Sequence, residues 1–422
     1  MKKKVCSVFF CAVIGIVSLT MFWPLAQKAI NKLGGKTAST EKEYIFYGHE
    51  QYPYSDDGEG IVTEKKKPNF LIGKFNAVKS VLKIATTDVY PYKMQFVTAK
   101  KTWDKATGMD MTTSFTASGD NPVVDLGEGR LSYIVNSYSE ENVNSLVEFG
   151  KKTEENGMNF LLFCTPFKID EDDDIKSGIY KNHSLEWEKK YIEAFRKEGL
   201  HVVSATEEIK KQGLSKKDLF FKTDHHWLPQ TALWGNKIMC DYLNENMGFS
   251  IDTDIFNEEN YNVTYPGKWL GSLGKQVTQV YCEPEPFPVV TPKYDSDITA
   301  FLSKKNATKT GRIEDVLLDW SILEQTDIYT RRNYDFYAYG NLALISIHNN
   351  KFNDGRKILM VKRSFADSMV PSLAACVENL DVIDLRYFDG SLQAYIEETK
   401  PDTIIAVYGV GEVAVDGSYD FR

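Results

Sequence analysis

The chain has 422 residues, of which 42% are hydrophobic, 26% are charged and 13% are aromatic, and its formal net charge is −9. That length is enough to bury a hydrophobic core without disulfide staples. The acidic balance gives no electrostatic support to nucleic-acid binding, so we expect no nucleic-acid partner. A neutral or polysaccharide partner is easier to accommodate.

The first 27 residues predict a membrane anchor. Residues 5–26 (VCSVFFCAVIGIVSLTMFWPLA) are an uncharged apolar run of about the length that crosses a bilayer as a helix. The lysines at positions 2–4 precede this run, and the positive-inside rule keeps them cytoplasmic. A cleaved signal peptide is the competing interpretation, but the run is long for one and no clean cleavage site follows it. In either case we expect the main domain to be extracytoplasmic, and an uncleaved segment 1–27 would make it a single-pass protein of the cell membrane.

Residues 28–67 are rich in Gly, Ser, Lys and acidic residues and show little periodicity. This composition is typical of a flexible spacer. Apolar density rises from Pro68 onward, so we predict one folded domain over 68–422. Four scattered cysteines lie beyond the anchor run without CxxC spacing, which gives neither a zinc signature nor a disulfide framework.

The folded segment begins with helices and a hairpin. Residues 70–108 predict two amphipathic helices that are interrupted at Pro91, because proline cannot continue a helix. Residues 121–135 have the turn glycines and β-branched flanks of a hairpin. Strands and helices then alternate: a helix near 139–157, a strand at 159–165, a helix near 185–198, strands at 201–205 and 218–222, and a helix from Pro229.

Segment 251–340 interrupts this alternation with many turn residues and short β-like runs, and we predict that it is a small β-rich insertion. Alternation of strands and helices predicts an α/β fold, a parallel sheet with helices on both faces. After the insertion the alternation resumes with strands at 357–362, 381–385 and 402–409 and helices at 367–379 and 391–399.

The segment FKTDHHW supplies a candidate acid–base pair. Nucleophilic catalysis on an ester needs an activated hydroxyl, a histidine that takes its proton and a group that orients the histidine. The chain has six histidines, and outside the spacer, where His49 lies, only His225 and His226 have an adjacent carboxylate. Residues two apart in an extended or turn segment project to the same side, so Asp224 is predicted to bind His226, the candidate base. Pro229 suits the first turn of a helix, which puts the segment in a loop at the sheet edge. A capped turn with packed histidines is the structural alternative.

Ser364 is the candidate nucleophile. It follows the apolar strand KILMVK and precedes a predicted helix, whose first backbone N–H groups can hold an oxyanion. A helix N-cap is the alternative role for this serine. Ser368 offers a second hydroxyl, but it lies inside the predicted helix. The sequence contains no G-x-S-x-G elbow, which argues against an ordinary α/β-hydrolase.

A metal site is a further alternative, in which Asp224, His225 and His226 would bind a cation together with the acidic residues 171–174. Adjacent histidines do not both face one ion without distortion, and no second cluster of His, Cys or Asp completes a ligand set. We therefore predict no metal.

The stretch FFKTDHHWLPQTALWG (220–235) resembles the signature of DHHW proteins, which are relatives of the SGNH-type alginate O-acetylation proteins of the bacterial cell envelope. The resemblance extends over roughly 68–410. Its other blocks are DVYPYKMQFVTAKKTWDKATG, DLGEGRLSYI, LLFCTPFK, PGKWLGSLGK, YGNLALISIHNN and RKILMVKRSFADSMVPSLA.

This resemblance implies an SGNH-like (flavodoxin-like) fold in which the Asp-x-His segment precedes the serine, a circularly permuted order relative to common SGNH esterases. It implies Ser364 as nucleophile, His226 as base and Asp224 as the orienting acid, with no cofactor. The implied activity is O-acetyl transfer or acetyl-ester hydrolysis on a cell-surface polysaccharide. A membrane-bound O-acyltransferase partner would hand over the acyl donor. A catalytically inactive glycan-binding or assembly protein of the same fold is the alternative.

One residue departs from the family pattern: Arg363 precedes Ser364, where the family usually has aspartate. An arginine favours an ionised alkoxide or an anionic sugar, or it marks a lineage that has lost activity. Several residues in family-like blocks are predicted to line the cleft, although packing, a solvated charge or a turn is an alternative role for most of them. These predicted substrate-binding residues are Thr165, Lys168, His225, Trp227, Gly340, Asn341 and Arg363.

Overall fold

The computed structural model describes residues 93–108, 123–135, 137–173, 175, 181–413, 419 and 421. All of them belong to one compact unit of the chain. The predicted anchor 1–27, the spacer 28–67 and the first predicted helix of 70–108 lie outside these residues. Among the helices that the structure does describe, none is long and apolar enough to cross a membrane.

Strands and helices alternate along most of the described chain, as the sequence pattern predicts. The strands are β1 (Val123–Asp125), β2 (Leu131–Tyr133), β3 (Asn159–Cys164), β4 (His201–Ser204), β5 (Tyr261–Thr264), β6 (Lys268–Trp269), β7 (Glu285–Pro286), β8 (Val289–Pro292), β9 (Ile298–Leu302), β10 (Ala307–Gly311), β11 (Leu344–Asn349), β12 (Lys357–Lys362), β13 (Asn379–Ile383) and β14 (Thr403–Val407). The helices are α1 (Lys93–Ala106), α2 (Glu140–Glu155), α3 (Ser184–Lys197), α4 (Ala205–Lys211), α5 (Lys216–Leu219), α6 (Pro229–Asn246), α7 (Ser272–Val277), α8 (Ile313–Val316), α9 (Val370–Leu373) and α10 (Leu392–Thr399).

Eight of these strands form one sheet, in the order β10-β9-β11-β13-β12-β14-β3-β4. The five strands from β13 to β4 are parallel, as predicted. The other three are antiparallel, so the sheet is mixed. The short turn Ser303–Lys305 joins β9 to β10, and a connection of that length permits only antiparallel pairing. The predicted insertion 251–340 therefore extends the edge of the main sheet with two of its strands.

Both faces of the sheet are buried at β3, where alternate residues belong to different hydrophobic cores. In β3, Leu161 and Phe163 belong to one hydrophobic core, whereas Phe160 and Leu162 belong to the other. Helix α6 packs in the first core, and α2, α3 and α10 pack in the second. Because alternate residues point to opposite faces, a strand with two buried faces is apolar throughout.

Two local predictions were wrong. The predicted strand at 218–222 is the short helix α5, followed by an isolated antiparallel bridge between Phe220 and Trp227. The predicted helix at 367–379 is a 3-10 turn at Ser364–Ser368 followed by the single turn α9. Pro371 lies in the first turn of α9, and its missing N–H stops the preceding turn from continuing as one α-helix.

Candidate active site

The DHH segment lies at the tip of a closed loop. The backbone N–H of Phe221 donates to the His226 carbonyl (3.2 Å), and the N–H of Leu228 donates to the Leu219 carbonyl (2.8 Å). Helix α6 begins directly after this loop with Pro229 in its first turn, as predicted. The two backbone hydrogen bonds hold the ends of the loop together, so its central residues project from a fixed base.

An unbroken chain of hydrogen bonds joins Asp224, His226 and Ser364. The Nδ1 of His226 lies 2.6 Å from Oδ1 of Asp224, and its Nε2 lies 2.8 Å from the Oγ of Ser364. All three residues are buried, although Ser364 retains 8% of its accessible surface. An acid on one ring nitrogen and a hydroxyl on the other is the arrangement that proton transfer from a serine requires.

Asp224 is held as an anion. Its Oδ1 also accepts the backbone N–H of His226 (3.0 Å), and its Oδ2 accepts the backbone N–H of Ser272 (2.6 Å). Burial alone would raise the pKa of Asp224, but the charges of His226 and His225 and the hydrogen bonds from His226 hold this pKa well below its usual range. An ionised carboxylate only accepts hydrogen bonds, so Nδ1 of His226 carries the proton and Nε2 is left to accept from Ser364.

Ser364 lies at the carboxyl end of β12, the strand between β13 and β14. This is the sheet edge at which open α/β folds bind their ligands. Lys362, the last residue of β12, is fully buried and forms ion pairs with Asp367 and Asp384. These pairs fix the path of the chain on both sides of the serine.

Segment 251–340 contributes three contacts to the site that the sequence did not predict. The Tyr334 ring stacks on the His226 ring at 3.8 Å with an interplanar angle of 8°. The Oγ of Ser272 lies 3.0 Å from Nδ1 of His225. The Glu285 carboxylate accepts the backbone N–H groups of Lys222 (2.7 Å) and Thr223 (2.6 Å). The block GSLG, which resembles a family turn, is the one sequence signal that pointed to Ser272.

Two glycines of that GSLG block allow the turn to press against the DHH loop. The backbone N–H of Gly271 donates to the Oγ1 of Thr223 (2.9 Å), and that of Gly274 donates to the Thr223 carbonyl (2.8 Å). A Cβ at Gly271 would lie 2.5 Å from both the Asp224 Cβ and the Thr223 carbonyl oxygen. The close approach explains why glycine occupies this position.

We expect Gly271→Ala to lower kcat/KM for an acetyl ester by about 100-fold, because a displacement of about 1 Å in a catalytic group has an effect of that order. The matched control is Gly267→Ala in the longer block PGKWLGSLGK, since the nearest atom to a Cβ there is 4.0 Å away. Steady-state kinetics and thermal melting of both variants check the prediction. Equal kinetics in the two variants would contradict it.

The predicted cleft residues occupy different surroundings. Trp227 is fully buried and donates Nε1–H to the Phe365 carbonyl (3.0 Å), so it is a packing residue and its predicted place in the cleft was wrong. Lys168 is also buried, and its ammonium is bound by backbone carbonyls instead of facing solvent. Thr165 is buried against Gly409, where a Cβ would meet the Thr165 hydroxyl at 2.5 Å.

Of the remaining predicted neighbours, Asn341 and Arg363 are partly buried, whereas His225 and Gly340 are buried. His225 is 9% exposed, and its ring makes an edge contact with Tyr133. Gly340 has a φ of +71°, so it occupies the turn that was the alternative role for this residue. The Oδ1 of Asn341 accepts hydrogen bonds from Arg386 (2.8 Å) and Lys362 (3.3 Å). Contact of these residues with a substrate remains a prediction.

Arg363, the departure from the family pattern, has a buried acidic neighbour. Burial raises the pKa of Glu412, and the positive charge of Arg363 opposes that rise. Arg363 follows β12 and Glu412 lies just beyond β14, the adjacent strand. The positive charge of Arg363 therefore acts on a buried carboxyl group of the same fold.

Asp224, His225 and His226 also form the one group of described residues whose potential metal-binding atoms all lie within 4.8 Å of one another. The carboxylate of Asp224 and both ring nitrogens of His226 already take part in hydrogen bonds. A cation bound by all three residues would have to displace hydrogen bonds of Asp224 or His226, so the geometry suits proton transfer better than metal binding.

Comparison with solved structures shows the fold. Bacillus cereus PatB1, which has also been solved with a sulfonyl adduct, matches with a TM-score of 0.57 and 19% identity over 71% of this chain and 99% of that chain. A DHHW family protein from Eubacterium siraeum matches with a TM-score of 0.52 and 15% identity over 71% of this chain and 93% of that chain. The O-acetyltransferase domain of Pseudomonas putida AlgJ matches with a TM-score of 0.38 and 11% identity over 66% and 84% of the two chains, a score too low to establish a shared fold.

No curated protein matches the chain by sequence. The likeness to PatB1 and to the Eubacterium siraeum protein confirms the predicted SGNH-like α/β fold class. The family model for DHHW protein matches residues 134–383, which is more than half of the chain and includes the DHH loop and Ser364. The chain belongs to the DHHW protein family.

Proposed function

We propose that this protein is a serine-dependent O-acetyltransferase or acetylesterase that acts on a cell-surface polysaccharide. The observation that carries the proposal is the hydrogen-bond chain from Asp224 through His226 to the Oγ of Ser364, with distances of 2.6 and 2.8 Å. The polysaccharide acceptor rests on the resemblance to alginate O-acetylation proteins.

The first half of the reaction forms an acyl-enzyme. Nε2 of His226 takes the Ser364 proton while Oγ attacks the acyl carbonyl carbon, and a tetrahedral intermediate forms. Asp224 stabilises the imidazolium that results. The imidazolium then donates its proton to the departing group, and the acetyl group remains on Ser364 as an ester.

In the second half, His226 takes a proton from a glycan hydroxyl or a water molecule, which attacks the acetyl ester. The proton returns to Ser364 Oγ as the ester breaks. A glycan acceptor makes the protein a transferase, and water makes it an esterase. No cofactor takes part in either half.

The proposed location is the outer side of the cell membrane. The apolar run at 5–26 would anchor the chain, and the spacer 28–67 would hold the catalytic domain near the surface. A membrane-bound O-acyltransferase partner would deliver the acyl group from the membrane side.

A sulfonyl fluoride tests the proposed nucleophile. We expect phenylmethylsulfonyl fluoride to form a sulfonate ester on the Oγ of Ser364 with release of fluoride, because His226 activates that hydroxyl. Mass spectrometry of the digested protein locates the adduct, and acetate release from an acetyl ester is measured in parallel. Ser368→Ala should label like the wild type. Labelling of another residue, or acetate release that a chelator abolishes, would contradict the serine mechanism.

A non-catalytic glycan-binding or assembly role is the second candidate, and Arg363 is the observation that favours it. On this alternative the wild type releases no acetate from an acetyl ester, and Ser364→Ala binds glycan as tightly as the wild type. Acetate release by the wild type that Ser364→Ala lacks would exclude it.

A further inference from the structure

Lys168 is a buried cation whose hydrogen bonds all go to the DHH loop. It lies in the block TPFK, directly after β3, and retains 3% of its accessible surface. Its Nζ donates to the backbone carbonyls of Phe221 (2.6 Å), Lys222 (3.0 Å) and Asp224 (2.8 Å). Among the described residues, no carboxylate lies within ion-pairing distance of this ammonium.

The number of acceptors matches the protonated amine. An ammonium carries three N–H donors, and each carbonyl takes one of them. A neutral amine has two donors and a lone pair, so it would satisfy only two of the three carbonyls and leave a buried acceptor unpaired. The observed geometry is therefore that of the charged form.

Lys168 and Glu285 bind the loop through opposite kinds of backbone group. Lys168 takes carbonyl oxygens, whereas the Glu285 carboxylate takes the N–H groups of Lys222 and Thr223. The third carbonyl that Lys168 binds belongs to Asp224, whose side chain branches from the adjacent Cα. Loss of that bond would free the peptide unit that places the Asp224 carboxylate against His226.

We propose that Lys168, in its protonated form, is a positioning residue that fixes the Asp224 peptide and so aligns the His226 ring with the Oγ of Ser364. Its effect on turnover rests on the proposed acyl-transfer function, whereas its effect on the Asp224–His226 hydrogen bond does not.

The Lys168 ammonium has a pKa close to neutral pH. Burial lowers the pKa of Lys168 to about 7, while the facing carboxylates of Glu285, Asp224 and Asp173 oppose that fall and the nearby Arg130 adds to it. Turnover should therefore fall as the pH rises through about 7, because the ammonium loses one donor.

Folding stability should respond in the opposite direction. The unfolded chain keeps the Lys168 proton up to about 10.5, and the folded chain keeps it only up to about 7. Between those values the unfolded state binds more protons, so this group makes the fold more stable as the pH rises. An alkaline loss of turnover without loss of folding stability distinguishes positioning from a general structural role.

The test compares Lys168→Met with Lys216→Met. Lys216 is equally buried and donates to the Ile169 carbonyl (3.1 Å), but it makes no hydrogen bond to the DHH loop. For Lys168→Met we expect kcat for an acetyl ester to fall about 100-fold with little change in KM, which is the effect of a misplaced catalytic group. The alkaline fall in kcat should also disappear. Lys216→Met should keep the wild-type kcat and its alkaline fall.

Proton NMR of His226 provides a second measurement that does not depend on turnover. The Nδ1 proton in a short imidazole–carboxylate hydrogen bond gives a far-downfield resonance, and we expect this signal in the wild type and in Lys216→Met but not in Lys168→Met. In the wild type it should weaken as the pH rises through about 7, which tests the proposal even if Lys168→Met fails to fold.

Wild-type kcat in Lys168→Met, an unchanged alkaline fall in that variant, or a His226 signal that persists in it would overturn the proposal. A wild type that releases no acetate would refute the proposed function alone, since the His226 signal would still decide whether Lys168 positions the loop.

Discussion

Ser364→Ala is expected to lower kcat for acetyl-ester hydrolysis by about 10⁴-fold or more, because the variant has no Oγ to form the acyl-enzyme. The residual rate would come from binding and electrostatic stabilisation without covalent chemistry. Ser364 lies after the end of β12, where Arg363 is extended and a 3-10 turn follows, so loss of one hydroxyl should leave the backbone unchanged. Acetate release under saturating substrate measures the effect, and circular dichroism checks the fold.

Ser368→Ala is the matched control. Its hydroxyl is buried four residues further along the same turn and lies 2.7 Å from the Tyr334 hydroxyl. Ser368 makes no hydrogen bond to His226 among the described contacts, so this variant should lose some stability and keep most of its turnover. An equal loss of kcat in the two variants would show that the turn as a whole, and not the Ser364 nucleophile, carries the activity.

Local spacing was sufficient to predict the acid–imidazole pair. Asp224 and His226 are two residues apart, so their side chains share one side of a turn whatever the rest of the fold does. Strand periodicity was sufficient to predict that Ser364 follows a buried strand. The contact between His226 and Ser364 depends on the tertiary fold, because the two residues are 138 positions apart in the sequence. The α/β pattern made it predictable, since such folds collect functional residues at the carboxyl ends of their parallel strands.

The contacts that segment 251–340 makes with the rest of the domain were not predictable from the sequence. Its turn-rich composition predicted a separate insertion, but its strands β9 and β10 join the main sheet, and Ser272, Glu285 and Tyr334 contact the DHH loop. These contacts depend on how the segment packs against the main sheet. Such tertiary packing does not produce a periodic pattern of apolar residues in the sequence. The block GSLG alone gave a hint, because it resembles a turn of the family.

Burial of single polar residues was equally hard to predict. A lysine after a strand is usually solvated, and Lys168 was open to that interpretation, yet its ammonium lies inside the fold. The reason is its set of acceptors: three carbonyls of a loop that comes more than 50 residues later. Trp227 illustrates the reverse case, since its place beside the two histidines of the DHH loop suggested a cleft position, whereas its side chain is fully buried in the core.

Asp224→Asn is expected to lower kcat by about 10³- to 10⁴-fold, the range in which loss of the triad carboxylate falls. Asp224 accepts three hydrogen bonds: two from His226 and one from the Ser272 backbone. An asparagine offers one oxygen and one amide group. If the amide faces His226, then Nδ1 becomes an acceptor and Nε2 carries the proton, so the imidazole no longer accepts from Ser364.

Asp218→Asn is the control for this change, because Asp218 is an exposed acid of the short helix α5 that leads into the same loop. It should keep wild-type kinetics. In Asp224→Asn the loss should appear in kcat with little change in KM, since Asp224 acts on the imidazolium that forms during the reaction. A wild-type kcat in Asp224→Asn would mean that the carboxylate does not orient the base, and the hydrogen-bond chain to Ser364 would then be a structural feature of the loop.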